Sequence, residues 1–225
     1  MKFEKDYRRI FIYSDAHIDG TDPKKENAAY MIMNDRLRWS DVAIDAGDFW
    51  ERHSLSYERL AQTPIGGLFP IMRDKVIKLF GNHDKKENYS DIPPFWLQSG
   101  HEYSFQSGGT PFLVLHGDKF DSASYIDQLM SYRLVRGLMP QIKKIERYLL
   151  GQGAKTTGRL AKYYQQWNEE QKAGFVVARR RLGEWGIAGH THKAEIDSTK
   201  RYANAGEFPF TFLQIEKGEV KLCRV

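Results

Sequence analysis

The sequence contains a single cysteine, Cys223, among 225 residues. One cysteine cannot form an internal disulfide, so the small disulfide-stabilised folds of secreted proteins are excluded. Such sparse use of cysteine fits a reducing compartment, and we therefore expect a cytoplasmic protein. We interpret Cys223 itself as a small apolar residue in a last strand.

Long hydrophobic runs are also missing. No stretch approaches the roughly 18 apolar residues that cross a membrane, and the charged residues 1–9 fit neither a signal peptide nor an anchor. Low-complexity segments are absent, and 41% hydrophobic with 28% charged residues is typical of a folded globular protein. A chain of this length buries one core, so we predict a single domain over residues 1–225.

Positive charge is unevenly distributed. Residues 122–186 contain twelve Lys and Arg against five acidic residues, a surplus of seven, whereas the whole chain carries +5 and the remainder is therefore near −2. This segment shows helical patterns at 125–138, 142–150 and 162–181, so we predict an all-helical insertion at about 122–186. Its basic surface is either solvated or binds an anionic partner, such as a nucleic acid or an anionic lipid headgroup. The aromatic residues among these charges fit helix packing at least as well as nucleic-acid binding: Tyr148, Tyr163, Tyr164 and Trp167.

Apolar runs at 9–14, 42–46 and 76–80 alternate with helical patterns at 26–39 and 56–62. This alternation is typical of parallel βαβ units. Short strands follow at 101–105, 110–115, 185–188, 194–196, 201–204, 210–215 and 220–224, and the Gly108-Gly109 pair predicts a hairpin between the first two. The fold class predicted from this order is α/β.

Five of the apolar runs end in carboxylate, imidazole or carboxamide side chains. These candidates are Asp15, His17, Asp48, Asn82, His83, His116, His190 and His192. Taken alone each is weak evidence, since Asp48 could cap a helix and His116 could be a buried core histidine. Ligands bind at the carboxyl ends of strands in open α/β sheets, so five such motifs at strand ends indicate one shared site.

The candidate ligands offer oxygen and nitrogen donors but no thiolate. This mixture suits two divalent ions, for which we expect manganese, with iron, zinc, cobalt and nickel as alternatives. Two such ions roughly 3.5–4 Å apart, bridged by a carboxylate and a hydroxide, can clamp a phosphoryl group and neutralise charge on the leaving oxygen. The sequence therefore predicts a hydrolytic site for phosphate esters.

The five motifs together resemble those of the calcineurin-like metallophosphoesterases over nearly the whole chain. They are Asp15-x-His17, Gly47-Asp48-x-x-Glu51, Gly81-Asn82-His83-Asp84, His116-Gly117-Asp118 and Gly189-His190-x-His192. The resemblance implies a four-layer α/β/β/α sandwich with a helical cap. It also implies one metal held by Asp15, His17, Asp48 and His192, and a second held by Asp48, Asn82, His116 and His190. His83 would then donate a proton to the leaving alkoxide, and Asp84 would orient His83.

Within that family, His116-Gly117-Asp118-x-Phe120-Asp121 and the run 202–206 are most similar to the UDP-2,3-diacylglucosamine pyrophosphohydrolase branch, whose helical insertion caps the site. The sequence departs from that branch at Glu207, where an aromatic residue is usual, and at Lys193-Ala194, which replaces a basic-proline pair. We expect an enzyme that hydrolyses a phosphate monoester, diester or pyrophosphate. The alternatives are a metal-dependent nuclease and a non-catalytic protein-binding scaffold on the same fold.

Overall fold

The computed structural model describes residues 5–52, 54–120, 158–178 and 183–225. Its strands are β1 Arg9–Tyr13, β2 Val42–Asp45, β3 Val76–Leu79, β4 Gln98–Gly100, β5 Glu102–Ser107, β6 Thr110–Leu115, β7 Trp185–Ala188, β8 Glu195–Asp197, β9 Tyr202–Asn204, β10 Thr211–Glu216 and β11 Glu219–Arg224. Its α-helices are α1 Pro23–Trp39, α2 Tyr57–Ala61, α3 Phe69–Lys75 and α4 Gly158–Ala178. Short 3-10 segments lie at Pro64–Leu68, Lys86–Tyr89 and Asp118–Phe120.

The strands form two sheets. The first has the order β11-β10-β1-β2-β3-β4, in which β1 to β4 are parallel and β10 and β11 are antiparallel additions. The second has the order β5-β6-β7-β9-β8, in which β6, β7 and β9 are parallel. Gly108 and Gly109 join β5 to β6 with φ of 54° and 78°, as a tight two-residue hairpin requires.

Alternating residues of the first sheet face two different layers. Along β1, Phe11 and Tyr13 pack with Met33 and Leu37 of α1, whereas Ile10 and Ile12 belong to the core between the sheets. On the outer face of the second sheet, Leu113, Leu115, Ala188 and Tyr202 pack against Phe175 of α4. The order of layers is therefore helix, sheet, sheet, helix, which is the α/β/β/α sandwich that the family resemblance implies.

Helix α1 begins three residues before the predicted range because the Asp22 carboxylate caps it. This carboxylate accepts hydrogen bonds from the main-chain N–H groups of Lys24 and Lys25, both at 3.1 Å, and Pro23 occupies the first turn. Helix α3 and strand β4 were not predicted.

Of the predicted insertion, α4 overlaps the third helical range, 162–181, and begins four residues before it. The ranges 125–138 and 142–150 lie outside the described residues. The all-helical cap therefore stays a prediction. No helix in the described part of the chain is apolar and long enough to cross a membrane.

Candidate metal centre

The two sheets bring the carboxyl ends of five strands to one region. Asp15 and His17 follow β1, Asp48 follows β2, and Asn82 follows β3. His116 follows β6 in the second sheet, and His190 and His192 follow β7. Contacts described below connect all seven side chains or their loops, so the residues predicted as ligands from separate motifs lie together.

One donor cluster is formed by Asp15, His17 and His192, whose ligand atoms lie within 4.8 Å of one another. The Asp15 Oδ1 atom is 3.4 Å from His192 Nε2 and 3.9 Å from His17 Nε2, and the two imidazole nitrogens are 3.4 Å apart. Asp15 is fully buried, and its Oδ1 accepts no hydrogen bond from the described residues. A buried carboxylate oxygen without a donor, facing two imidazole nitrogens, is what a divalent cation would satisfy.

A second donor cluster is formed by Asp15, Asp48 and His116, again within 4.8 Å, and Asn82 adjoins it. His116 Nδ1 lies 2.9 Å from the Ala46 carbonyl oxygen, so it donates there and the neutral ring carries its lone pair on Nε2. That Nε2 faces two oxygens, Asp48 Oδ2 at 3.2 Å and Asn82 Oδ1 at 3.0 Å. An imidazole nitrogen, a carboxylate oxygen and a carboxamide oxygen that converge on one point form a donor set that fits a divalent metal ion.

The His190 loop links the two clusters. The His190 main-chain N–H donates to Asp15 Oδ2 at 2.8 Å, and its ring lies 5.1 Å from the His116 ring. The His190 ring therefore lies beside His116 of the second cluster, while the His190 main chain binds the Asp15 carboxylate, which belongs to both clusters.

Glu51 is the carboxylate that contacts His83. It is fully buried, and its Oε1 accepts from His17 Nδ1 at 2.7 Å and from His83 Nδ1 at 3.1 Å. These bonds turn His17 Nε2 toward Asp15 and hold the His83 ring against the His17 ring, with ring centres 5.0 Å apart. A carboxylate behind a ligand imidazole fixes the tautomer and the orientation of the ring. Glu51 belongs to the Gly47-Asp48-x-x-Glu51 motif, from which no role is predicted for it.

Asp84, which the sequence analysis assigned to orienting His83, occupies a different place. Its Oδ1 accepts from the Gly81 N–H at 2.8 Å, and its Oδ2 accepts from the Phe49 N–H at 2.9 Å and pairs with the buried Lys78 ammonium. Asp84 thus joins the loop that carries Asp48 to the loop that carries Asn82. The carboxylate in contact with the His83 ring is Glu51, at 3.1 Å.

Five of the seven predicted ligands have left-handed backbone conformations. Their φ angles are 55° at Asp15, 45° at His17, 57° at Asp48, 68° at His190 and 55° at His192. Close packing accompanies this geometry, since a side chain at Gly81 would place its Cβ 2.2 Å from Asp48 Oδ1. The glycine is therefore required there by contact with the ligand.

The clustered charges shift the protonation equilibria of the metal-free site. Burial lowers the pKa of His192, but the Asp15 carboxylate outweighs it and raises that pKa to about 10. Burial also lowers the pKa of His116, but the Asp48 carboxylate outweighs burial and raises this pKa well above its ordinary value. For Glu51, burial would raise the pKa, but the hydrogen bonds from His17 and His83 hold it well below the usual range. The metal-free site therefore holds protons where cations would bind.

No protein-family model and no curated protein matches the sequence significantly. Several solved structures align with it. An archaeal phosphodiesterase has a TM-score of 0.44 and 16% identity, with 96% of this chain and 99% of that chain covered. Yfce, a phosphoesterase from E. coli, has a TM-score of 0.45 and 11% identity, with coverages of 96% and 99%. A dimetal phosphatase from Danio rerio has a TM-score of 0.42 and 10% identity, with coverages of 96% and 98%. Similarity at this level does not identify a substrate.

Glu207, one of the departures noted in the sequence, lies at the edge of the centre. Its Oε2 is 3.8 Å from His192 Nδ1, and its Oε1 pairs with Lys25 Nζ at 2.9 Å. Burial alone would raise the pKa of Glu207, but His192 and Lys25 lower it to about 2. An anionic Glu207 thus faces the outer nitrogen of a predicted ligand.

Helix α4 contacts the loop of the last two ligands. Gln171 Nε2 donates to the Gly189 carbonyl at 3.2 Å, and Thr191 Oγ1 donates to Asn168 Oδ1 at 3.2 Å. Asn204 Nδ2 donates to the same Gly189 carbonyl at 2.8 Å. Gln171, Asn168 and Asn204 are all buried, so this polar network fixes the loop from behind.

Proposed function

We propose that this protein is a metal-dependent phosphoesterase that hydrolyses a P–O bond at a dinuclear site. The observation that carries the proposal is the pair of overlapping donor clusters, Asp15/His17/His192 and Asp15/Asp48/His116, each within 4.8 Å. One ion would be held by Asp15, His17, Asp48 and His192, and the other by Asp48, Asn82, His116 and His190. The mixture of imidazole, carboxylate and carboxamide donors supports manganese, with iron, zinc, cobalt and nickel as alternatives.

When bound, the two ions supply Lewis acidity toward the phosphoryl oxygens and lower the pKa of water at the site. The chain positions the proton donor. The water oxygen would form its bond to phosphorus as the bond to the leaving oxygen breaks, and His83 Nε2 would give the leaving oxygen its proton. The proton that the attacking water loses to solvent is balanced by the one that His83 takes up again from solvent. Glu51 holds His83 Nδ1 at 3.1 Å and so orients the ring for this step. The His83 side chain is 30% exposed, so a substrate can approach it.

The test is hydrolysis of an aryl phosphomonoester and an aryl phosphodiester after EDTA treatment and after adding back each of the five metals. We expect activity to be lost with EDTA and restored by Mn²⁺. His83→Ala should lower turnover by about 10²- to 10⁴-fold while metal content, measured by elemental analysis, stays near that of the wild type. Inactivity with every metal would overturn the enzyme proposal, and loss of metal from His83→Ala would make His83 a ligand instead.

Nucleic acid is a second candidate substrate, favoured by the twelve basic residues in 122–186. A nuclease predicts metal-dependent cleavage of DNA with binding that weakens steeply as salt rises. Binding that ignores salt would exclude it. A non-catalytic scaffold on this fold predicts metal content without hydrolysis of any phosphate ester.

A further inference from the structure

A cavity of about 390 Å³ opens at the His116 side of the metal centre. His116 and Gly81 form the wall that the cavity shares with the centre. At Gly81 the wall is bare backbone, and a Cβ there would already touch Asp48 and the His116 ring. A ligand in the cavity would therefore lie directly beside the residues proposed to hold the second ion.

Three lysines line this cavity: Lys85, Lys86 and Lys119. Lys85 and Lys86 are exposed and form no ion pair with any residue in the described ranges. Lys119 has a side chain that is 53% exposed and approaches Glu102 only at 3.9 Å. Long-chain ammonium groups at this rim can therefore turn toward a ligand without breaking a strong pair.

Acidic residues do not cancel this charge. Glu87 and Asp118 also line the cavity, so three lysines and two acidic residues give a net charge of +1. This count does not include His101 or any metal ion. The lysines line the cavity from two segments of the chain. Lys85 and Lys86 are neighbours on one segment, and Lys119 lies on the other. An anionic group between the two segments would be attracted from both sides.

The inner wall of the cavity is apolar. Phe80 and Leu115 lie there, exposed by only 6% and 1%, and the His101 ring is tilted against Phe80 with ring centres 5.7 Å apart. A cavity with an apolar wall and a few charged groups at its rim is typical of a site for an organic molecule. Its volume is in the range of roughly 300–1,000 Å³ that small-molecule sites occupy.

We propose that this cavity binds a second phosphate group of the substrate, so that the substrate class is an organic phosphate ester carrying a further phosphate. The proposal rests on the phosphoesterase function proposed above, because the first phosphate would lie at the metal centre. Lys85, Lys86 and Lys119 would contact the second phosphate, and the Phe80 wall would contact the organic part that joins the two.

The test compares two nucleotides that differ by one phosphate. Adenosine 3′,5′-bisphosphate and adenosine 5′-monophosphate are measured as competitors of p-nitrophenyl phosphate hydrolysis by the manganese-loaded full chain. We expect the inhibition constant of the bisphosphate to be about tenfold lower, as one additional phosphate contact of about 1.4 kcal/mol implies. Lys86→Ala and Lys119→Ala should each reduce this advantage by about three- to tenfold.

Lys221→Ala is the matched control, since the Lys221 side chain is also 53% exposed and also has one acidic neighbour, Glu219 at 3.3 Å. It lies on β11 and should leave the advantage unchanged. Equal inhibition by the two nucleotides, or an advantage that survives in both cavity variants, would overturn the proposal. So would an equal loss in Lys221→Ala, which would indicate a general charge effect.

A separate measurement distinguishes this proposal from the proposed function. Calorimetric titration of the manganese-loaded His83→Ala chain with the same two nucleotides measures binding without relying on hydrolysis. If the bisphosphate binds more tightly than the monophosphate, and Lys86→Ala and Lys119→Ala each reduce this difference, the proposed phosphate site in the cavity is supported even if no ester is cleaved. Hydrolysis of p-nitrophenyl phosphate with no preference between the nucleotides would retain the phosphoesterase and reject the cavity.

Discussion

Lys78 is a buried ammonium group whose removal should destabilise the loops of the metal centre. Its side chain is 3% exposed and lies between two carboxylates, with Nζ 2.9 Å from Asp45 Oδ2 and in contact with Asp84 Oδ2. Lys78→Met keeps a long unbranched side chain and removes the charge. Breaking a buried ion pair from one side costs about 3–5 kcal/mol of unfolding free energy, and we expect a loss in this range at pH 8.

The loss of unfolding free energy in Lys78→Met should depend on pH, because a proton on Asp45 can replace the missing positive charge of Lys78. Burial raises the pKa of Asp45 against the attraction of Lys78, and Asp84 raises it further, to about 7. This folded value is above that of the unfolded chain, so the folded protein binds the extra proton and stability falls as pH rises from about 4 to 7. Without Lys78 this pKa rises further, and the variant should therefore lose less stability at pH 5 than at pH 8.

The assay is urea unfolding in EDTA at both pH values, which separates the effect from metal binding. Asp45→Asn is the control, because it leaves the Lys78–Asp84 pair intact and keeps an oxygen for the Gly47 N–H, which Asp45 accepts at 3.0 Å. We expect it to change stability by less than about 1 kcal/mol, and to recover part of the loss when combined with Lys78→Met. A loss below about 1 kcal/mol in Lys78→Met at pH 8, or the same loss at both pH values, would refute the reasoning.

Three further predictions concern the centre and its support. Glu51→Gln should weaken metal binding or lower turnover by about 10- to 100-fold, measured by metal titration and kcat, and wild-type values for both would remove its positioning role. Metal binding should release protons from His116 and His192, because their raised pKa values leave them protonated without metal. Calorimetry in buffers of different ionisation enthalpy measures this release, and metal affinity should fall progressively as the pH falls below about 10, the pKa of His192 without metal. Gln171→Leu should lower the unfolding free energy by about 1–3 kcal/mol and reduce metal content, whereas Gln166→Leu, on the exposed face of the same helix, should do neither.

Much of the architecture could be predicted because its core strands are continuous apolar runs. Strand β2 lies within the predicted range 42–46, and the run is buried on both faces, between α1 and the second sheet. The hairpin of β5 and β6 was readable from the Gly108-Gly109 pair. Helix α3 was not predicted because a helix of seven residues spans only two turns and gives little periodic signal.

The contacts inside the centre were harder to predict than its members. The family resemblance implies that Asp84 orients His83, but Glu51 reaches that ring from a loop 32 positions earlier. Lys78 offered no signal either, because a lysine within an apolar run is normally an exposed position of a strand. Only the approach of Asp45 and Asp84 in space makes burial of its charge possible.

The backbone at the metal centre is strained where the proposed ligands are. Of the seven non-glycine residues with positive φ in the described ranges, five are predicted ligands, and the other two, Arg201 and Lys217, lie in turns. A residue in the left-handed conformation costs about 1–2 kcal/mol of folding free energy, although Asp and His tolerate it better than most residues. The cost of five such residues is therefore comparable with the unfolding free energy of a typical domain, about 5–15 kcal/mol.

Hydrogen bonds between the ligand loops offset this cost. The Asp15 N–H donates to the Gly47 carbonyl, the His17 N–H to the Asp48 carbonyl and the Gly189 N–H to the His116 carbonyl, each at 3.0 Å. Each bond joins two loops that carry proposed ligands, and the last one joins the two parallel strands β6 and β7 just beyond their ends. Strain confined to the residues that would bind metal, and held by bonds among their own loops, is the pattern expected where function rather than folding selects the backbone conformation.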